Sequence, residues 1–100
     1  MHLHRIDLNL LVVLDAIFSE GGITKAGEKL HLTQPAISHA LGRLRELFGD
    51  PLFVREGRRM VPTPLARSLM QPVRRALHSL AVTLNAVQQF DPATTQRHLT

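Results

Sequence analysis

Two helix-forming stretches joined by a very short turn constrain the fold of this chain more than any other feature of its sequence. Residues 24–31 predict a short helix with Thr24 as its N-cap, and the small residues at positions 26–27 allow another helix to approach closely. Leu32 and Thr33 form the turn. The proline that follows suits the first turn of a helix, because its missing N–H needs no partner there. The pattern therefore predicts two helices that pack directly against each other.

The helix that Thr33 caps has one apolar side and one polar side. Its apolar residues recur at helical spacing and predict a buried stripe made of Ile37, Leu41, Leu44 and Phe48. A different side carries Gln34, Ser38, Gly42 and Arg45, flanked by His39 and Arg43. Gly49 to Pro51 ends the helix.

The flanking segments complete a small, mostly helical domain. Leu8–Glu20 predicts a first helix that is apolar almost all round, so we expect it at the centre of the core. Gly21-Gly22 ends this helix. After the third helix, Leu52–Arg55 and Met60–Pro62 predict two short strands around residues 56–59, which form a β-hairpin with a basic tip.

A long final helix begins at Thr63-Pro64 and is predicted to reach about Gln89, with a kink or a break at Pro72. Its apolar residues form one lengthwise stripe, which consists of Leu65, Leu69, Val73, Ala76, Leu77, Leu80, Leu84 and Val87. Such a helix is about 35 Å long, longer than a three-helix core is wide, so the stripe either folds back on the core or pairs with a second chain. Because an exposed apolar stripe is a liability in a monomer, we favour a dimer through this helix.

Composition excludes several classes of function. The chain has no Cys, Trp or Tyr, only four Phe, and a net charge of +4. Without Cys there is no thiolate metal site, and the six His are scattered, so we expect neither a metal nor another cofactor in this stretch of chain. Few aromatic residues disfavour stacking on single-stranded nucleic acid.

The sequence contains no apolar run of the ~20 residues that a membrane span needs and no export signal, so we expect a cytoplasmic protein without a membrane partner. No group of residues predicts an enzyme.

The positive charge is concentrated where the polar helix face and the hairpin lie. Residues 33–67 hold six basic residues, all Arg, against three acidic ones, whereas residues 1–32 hold three basic and four acidic residues. Arginine makes forked contacts to phosphate and guanine. Two short helices with a tight turn are typical of a helix-turn-helix, whose second helix enters the major groove, and a basic hairpin after it is typical of a wing. We therefore predict a winged helix-turn-helix, with a three-helix core and a two-stranded wing, followed by a long linker helix.

Four segments of the sequence resemble the N-terminal part of LysR-type transcriptional regulators. They are DLNLL at 7–11, TKAGEKL at 24–30, LTQPAISHAL at 32–41 and LFVR at 52–55. The resemblance covers approximately residues 5–90. The DLNLL opening and GRLR at 42–45 look most like the nodulation-activator branch, which is a weaker match than the one to the family. It implies a DNA-binding domain at residues 1–63, a linker and dimerisation helix at 64–90, and a hinge at 91–100 that leads to an effector-binding domain.

The resemblance also implies roles for particular residues. The start of the recognition helix faces DNA through Thr33, Gln34, Pro35, Ser38 and His39. In the wing, Arg55 or Arg58 touches the DNA backbone or the minor groove; we add Arg59 for its place in the basic tip and Arg43 for its place beside the polar face. The linker helices of two subunits pack antiparallel, and full-length members are commonly tetramers. The implied function is sequence-specific binding of double-stranded DNA by a dimer on an inverted-repeat operator.

Some features depart from the family or leave alternatives open. Many members carry Arg where this chain has His39, and an acidic residue where it has Arg45, which could contact phosphate here. Arg43 and Arg45 could instead pair with Glu46 or Asp50, and for Arg43 this alternative weighs as much as DNA contact. A protein-interaction module built on the long helix and a small winged-helix repressor complete at this length are the alternatives. The sequence at 96–100 favours a chain that continues, and it identifies no operator, effector or direction of regulation.

Overall fold

The computed structural model describes residues 7–90, with side chains through residue 87. Within that range, four helices and a two-stranded antiparallel sheet form a mostly α winged-helix fold, which confirms the predicted class. The elements in chain order are α1 (Leu8–Glu20), α2 (Ile23–Leu30), α3 (Gln34–Phe48), β1 (Phe53–Glu56), β2 (Arg59–Pro62) and α4 (Pro64–Phe90). The hinge predicted at 91–100 lies outside the described residues.

Helix α1 lies at the centre of the core, as its apolar sequence predicts. It contacts α2, α3, α4 and β2. Its buried residues are Leu10, Val13, Leu14, Ala16 and Ile17, which join one apolar cluster with the α3 stripe. Burying one such large aliphatic side chain stabilises a fold by roughly 1.5–3 kcal/mol. No charged or polar side chain is buried among the residues that the structure describes.

The N-cap of helix α2 lies two residues earlier than the sequence predicts. Gly22, in extended backbone, is the N-cap and offers no side-chain hydrogen bond, so Thr24 lies inside the first turn and does not cap the helix. The reason is the short connection, since Gly21 adopts the left-handed conformation that ends α1 and leaves only Gly22 before Ile23. The helix ends at Leu30, and His31 takes the left-handed C-cap position.

Gly27 lies where α2 meets both α3 and the turn before it, since a Cβ atom there would lie 3.6 Å from the Ile37 side chain, but the turn makes the tighter contact. A Cβ atom at this position would lie 2.8 Å from the backbone carbonyl oxygen of Leu32. The Leu32 N–H in turn donates to the Gly27 carbonyl oxygen at 2.9 Å. The chain therefore folds back onto α2 so closely that the absence of a side chain at Gly27 sets how tight the turn can be.

The hairpin pairs Phe53 with Pro62 and Glu56 with Arg59, around a two-residue turn. Gly57, with φ +63°, supplies the left-handed backbone that such a turn needs. The predicted strand start at Leu52 is wrong, because Leu52 itself has φ +65° and belongs to the turn before β1. At the other end of the hairpin, β2 is held to the core where the Met60 N–H donates to the Gly21 carbonyl oxygen at 3.2 Å.

Helix α4 runs over 27 residues without the break that Pro72 predicts. Proline removes the bond to the carbonyl of Ser68, but both residues lie on the exposed side of the helix, where water can satisfy that carbonyl. The first half of α4 is held against α1 by a polar contact as well as by apolar packing. The Arg74 Nε donates to the Asp15 Oδ1 at 2.8 Å, and the Arg74 guanidinium lies 5.1 Å from the centre of the Phe18 ring.

Candidate nucleic-acid interface

The first turn of α3 is capped and exposed. The Thr33 Oγ1 accepts a hydrogen bond from the Ala36 N–H at 3.2 Å, which confirms the predicted cap. Gln34 and Pro35 fill the first helical positions, where proline removes one N–H that would have no partner in the helix. All three of these polar or proline side chains lie at the surface. Of the first three residues of α3, only Gln34 keeps an N–H without a partner in the described chain, because the Ala36 N–H is capped and proline has none. This N–H and the helix dipole favour an anion such as phosphate at this end of α3.

The side chains at the beginning of the polar face of α3 have no hydrogen-bond or ion-pair partners in the described part of the chain. Gln34, Ser38, His39 and Arg43 are all exposed. Within residues 7–87, none of these four side chains makes a hydrogen bond or an ion pair, so Arg43 does not pair with Glu46 or Asp50. The buried side of the same helix is formed by Ile37, Leu41 and Leu44. Packing against α1 therefore fixes the orientation of α3 and presents the polar face outward.

The wing places its arginines beside this face. Arg55 lies on β1, Arg58 in the turn and Arg59 on β2, and all three side chains are exposed. One surface groove is lined by Gln34 together with these three arginines. A second groove is lined by Ser38 and Arg55, so that Arg55 borders both. The structure thus brings Gln34 and Ser38 together with the wing arginines. It does not bring His39 and Arg43 there, since these two line a separate shallow depression with Gly42 and Glu46.

Lys25 is a basic residue on this surface that the sequence analysis does not single out. It lies in the first turn of α2, is exposed, and lines the same groove as Gln34 and the wing arginines. Its position on the first helix of the pair is the signal that could have identified it, because that helix crosses the DNA backbone in a helix-turn-helix.

Arg45 is engaged within the chain, and its predicted alternative ion pairs are wrong. The Arg45 Nε donates to the Pro51 carbonyl oxygen at 2.8 Å, and its Nη2 donates to the Phe53 carbonyl oxygen at 3.0 Å. Asp50 instead accepts hydrogen bonds from the Leu52 N–H and the Thr63 hydroxyl. The polar face of α3 is therefore free at its beginning and tied to the wing at its end.

The predicted dimerisation stripe on α4 divides into two parts. Leu65, Leu69 and Leu77 are partly buried against the core, and Val73 belongs to the core itself. Beyond them, Leu80, Leu84 and Val87 are 43%, 60% and 60% exposed. Ala76, which the sequence also assigns to the stripe, is exposed. We call Leu80, Leu84 and Val87 the distal stripe.

Two other kinds of site are not found among the described residues. Among the residues that the structure describes, His, Asp and Glu side chains form no group of three that could hold a metal ion. In the same part of the chain, no helix combines the length and the apolar character needed to cross a membrane. The expectation of no cofactor stays a prediction.

Known proteins resemble this chain over almost its whole length. A family model for bacterial regulatory helix-turn-helix proteins of the LysR family matches residues 8–67. Nodulation protein D 1 of Bradyrhizobium sp. (strain NC92) is 47% identical over 97 residues, which cover 97% of this chain and 31% of that protein. The HTH-type transcriptional activator NahR of Pseudomonas putida is 46% identical over 100 residues, which cover 100% of this chain and 33% of that protein. The chain thus spans about a third of the length of these curated relatives.

Solved structures give the same result. A probable transcriptional regulator from Pseudomonas aeruginosa matches with a TM-score of 0.80 and 41% identity, over 90% of this chain and 29% of that one. The DNA-binding domain of BenM in complex with benA site 1 DNA matches with a TM-score of 0.76 and 26% identity, over 84% of this chain and 94% of that one. This chain therefore belongs to the LysR family of bacterial regulatory helix-turn-helix proteins, and it has the winged-helix fold of that family's DNA-binding domains.

Proposed function

We propose that this chain is the DNA-binding part of a LysR-type transcriptional regulator and binds double-stranded DNA sequence-specifically, as a homodimer on an inverted repeat. The observation that carries the proposal is the exposed beginning of α3. There Gln34 and Ser38 project without partners among the described residues, beside a wing that carries three exposed arginines, and His39 is exposed next to Ser38 on the same helix. An ordinary solvated helix face has no need of a basic hairpin at its side.

Base recognition is assigned to the first two turns of α3. A helix fits the major groove, where each base pair presents a distinct pattern of donors, acceptors and methyl groups. The Gln34 amide has the donor and acceptor needed to pair with the edge of adenine. Ser38 and His39 follow one helical turn later and reach neighbouring bases or phosphates. Sequence preference therefore depends on these three side chains together with DNA shape.

Affinity is assigned to the arginines of the wing and to the helix ends. Arg55, Arg58 and Arg59 lie on a hairpin that extends beside α3, at the place from which a wing reaches the neighbouring backbone or minor groove. Each phosphate that such a residue neutralises releases counterions, so binding weakens as salt concentration rises. Lys25, which lines the same groove, joins this set.

Dimerisation is assigned to the distal stripe. Helix α4 is about 40 Å long for its 27 residues, and its far half extends beyond the core with leucine and valine exposed. Covering these side chains with a second copy would remove an exposed apolar surface from water. A two-fold dimer would also present two recognition helices to the two halves of an inverted repeat.

The relatives support this assignment. NahR is named as a transcriptional activator, and the BenM domain was solved on DNA. Because the chain spans about a third of its curated relatives, a regulator built on it would carry an effector-binding region outside these 100 residues.

The experiment is a selection of bound duplexes from a random pool, followed by gel shifts of the selected site across a salt titration. We expect an inverted repeat to emerge and its complex with the protein to be retained at moderate salt. The logarithm of the binding constant should fall linearly with the logarithm of the salt concentration. Scrambled duplex of the same composition serves as the control. No enrichment and no retained complex would refute DNA binding and favour a protein-interaction module built on α4.

A further inference from the structure

The link between α3 and the wing contains a tight turn in an unfavourable backbone conformation. Leu52 has φ +65° although it is not glycine, and its side chain is fully buried. The Phe53 N–H donates to the Pro51 carbonyl oxygen at 2.7 Å, which closes a three-residue γ-turn around Leu52. Left-handed backbone at such a residue costs free energy and persists only where neighbouring contacts enforce it.

Two side chains from α3 and its C-terminal end enforce this turn. Arg45 brackets it, because its Nε and Nη2 donate to the carbonyl oxygens on either side of Leu52. The Asp50 Oδ2 accepts from the Leu52 N–H at 2.8 Å and from the Thr63 hydroxyl at 2.7 Å. The Thr63 N–H donates to the Leu52 carbonyl oxygen at 2.8 Å. Every backbone polar group of Leu52 is therefore held.

This turn determines where the wing begins. β1 starts at Phe53, directly after the turn, and Arg55 follows two residues later. Arg45 lies on α3 seven residues after Ser38, two helical turns along the same face, and both side chains line one groove with Arg55. A guanidinium suits the bracket because its nitrogens donate in a fixed planar fork, which a lysine ammonium does not reproduce.

We infer that Arg45 is a positioning residue for DNA binding. It fixes the wing arginines relative to the start of α3 and does not contact the DNA itself. This inference rests on the proposed function, in which the wing and α3 contact DNA together. In the free protein, the distance between the wing and α3 should therefore be narrowly defined only when the two hydrogen bonds from Arg45 are intact.

The test in the free protein uses the absence of Cys from the chain. Spin labels on cysteines introduced at Ala36 and Glu56 report the distance between the first turn of α3 and the wing. We expect one narrow distance distribution in the parent protein and a broader or shifted one in Arg45→Lys. The control is Arg75→Lys, at an exposed position on α4, which should leave the distribution unchanged. An unchanged distribution in Arg45→Lys overturns the inference.

The test on DNA uses double-mutant cycles on the selected site. We expect Arg45→Lys and Arg45→Gln to weaken binding by a similar factor, roughly tenfold, the size of one lost base or phosphate contact. In the Arg45→Lys background, Arg58→Ala should then have little further effect, whereas Gln34→Ala should keep its full effect. If Arg45 touches phosphate directly, Lys retains most of the affinity and Arg58→Ala costs the same in both backgrounds, and this result overturns the inference.

Two further outcomes separate this inference from the proposed function. If the parent protein binds no DNA while Arg45→Lys still broadens the distance, the proposed function fails and the role of Arg45 in placing the wing stands. If Arg45→Lys does not fold, as judged by thermal unfolding, Asp50→Asn weakens the other side of the same turn. That variant should give the same broadened distance and the same coupling to Arg58, and independence from Arg58 overturns the inference.

Discussion

Two exposed surfaces of this chain have opposite chemical character. The beginning of α3 and the wing expose polar and cationic side chains, whereas the distal stripe on α4 exposes Leu80, Leu84 and Val87. The polar surface is rigidly supported, since α3 packs on α1 and the wing is tied to α3 by Arg45. The apolar surface extends beyond that support on a single helix. The fold therefore keeps the side chains that we propose to bind DNA apart from those that we propose to bind a second copy.

The largest expected effect comes from charging the distal stripe. Leu80→Glu combined with Leu84→Glu should leave the fold intact, because both side chains are already about half exposed. It should convert the dimer to a monomer in sedimentation and weaken operator binding about a hundredfold, because the second half-site is no longer held at high effective concentration.

The matched control for this prediction is Val82→Glu. Val82 is exposed to a similar extent, but it lies two residues from each of the two substituted positions and so on the opposite side of the helix. It should leave both mass and binding unchanged. A dimer that survives the double substitution would remove the distal stripe from the interface.

The next effect tests the polar surface. Gln34→Ala should weaken binding to the selected site by ~1–3 kcal/mol and leave binding to scrambled duplex unchanged, because a base contact is lost and phosphate contacts remain. Gel shifts on the two duplexes measure the difference. Equal loss on both duplexes would show that Gln34 does not recognise bases.

A third substitution tests the turn that places α3. Alanine in place of glycine inside a helix normally adds up to about 1 kcal/mol of stability. At Gly27 the new Cβ would lie 2.8 Å from the Leu32 carbonyl oxygen, so we expect Gly27→Ala to lower the free energy of unfolding by about 1–3 kcal/mol. Gly42→Ala is the control, because nothing lies within 4 Å of its Cβ position, and it should stabilise the protein. Urea unfolding compares the two, and a gain at both positions would contradict the tight turn.

The smallest effect concerns the wing. Arg58→Ala should lower affinity by about 1 kcal/mol or less on selected and scrambled duplex alike, and reduce the slope of log binding constant against log salt by about one. The measurement is the same salt titration with parent and variant. A slope equal to that of the parent would place Arg58 away from phosphate.

The sequence predicts those parts of the fold that depend on neighbouring residues. The start of α3 follows from Thr33 and the proline after it, and the buried stripe of α3 follows from helical spacing. For α3, the information lies within one or two helical turns. The N-cap that the sequence predicts for α2 is wrong, because Gly22 takes the position that Thr24 was expected to fill.

The parts that could not be predicted depend on contacts between separate elements. The bracket from Arg45 to the turn at Leu52 exists only because Leu52 adopts left-handed backbone, which its residue type does not indicate. The division of the α4 stripe depends on where the core ends, since Val73 and Leu84 look alike in the sequence. The position of Lys25 in the first turn of α2 can be read from the sequence, but its place in one groove with the wing arginines depends on the folded chain.

The most direct measurement of the central claim is site-directed DNA cleavage from the first turn of α3. Because the chain has no Cys, Ala36→Cys can carry a single DNA-cleaving reagent next to Gln34 and Ser38 without replacing either. The account predicts two clusters of cleavage, one within each half of the selected inverted repeat, and no localised cleavage from the same reagent on Val82→Cys. Diffuse cleavage from position 36, or the same pattern from both positions, would contradict it.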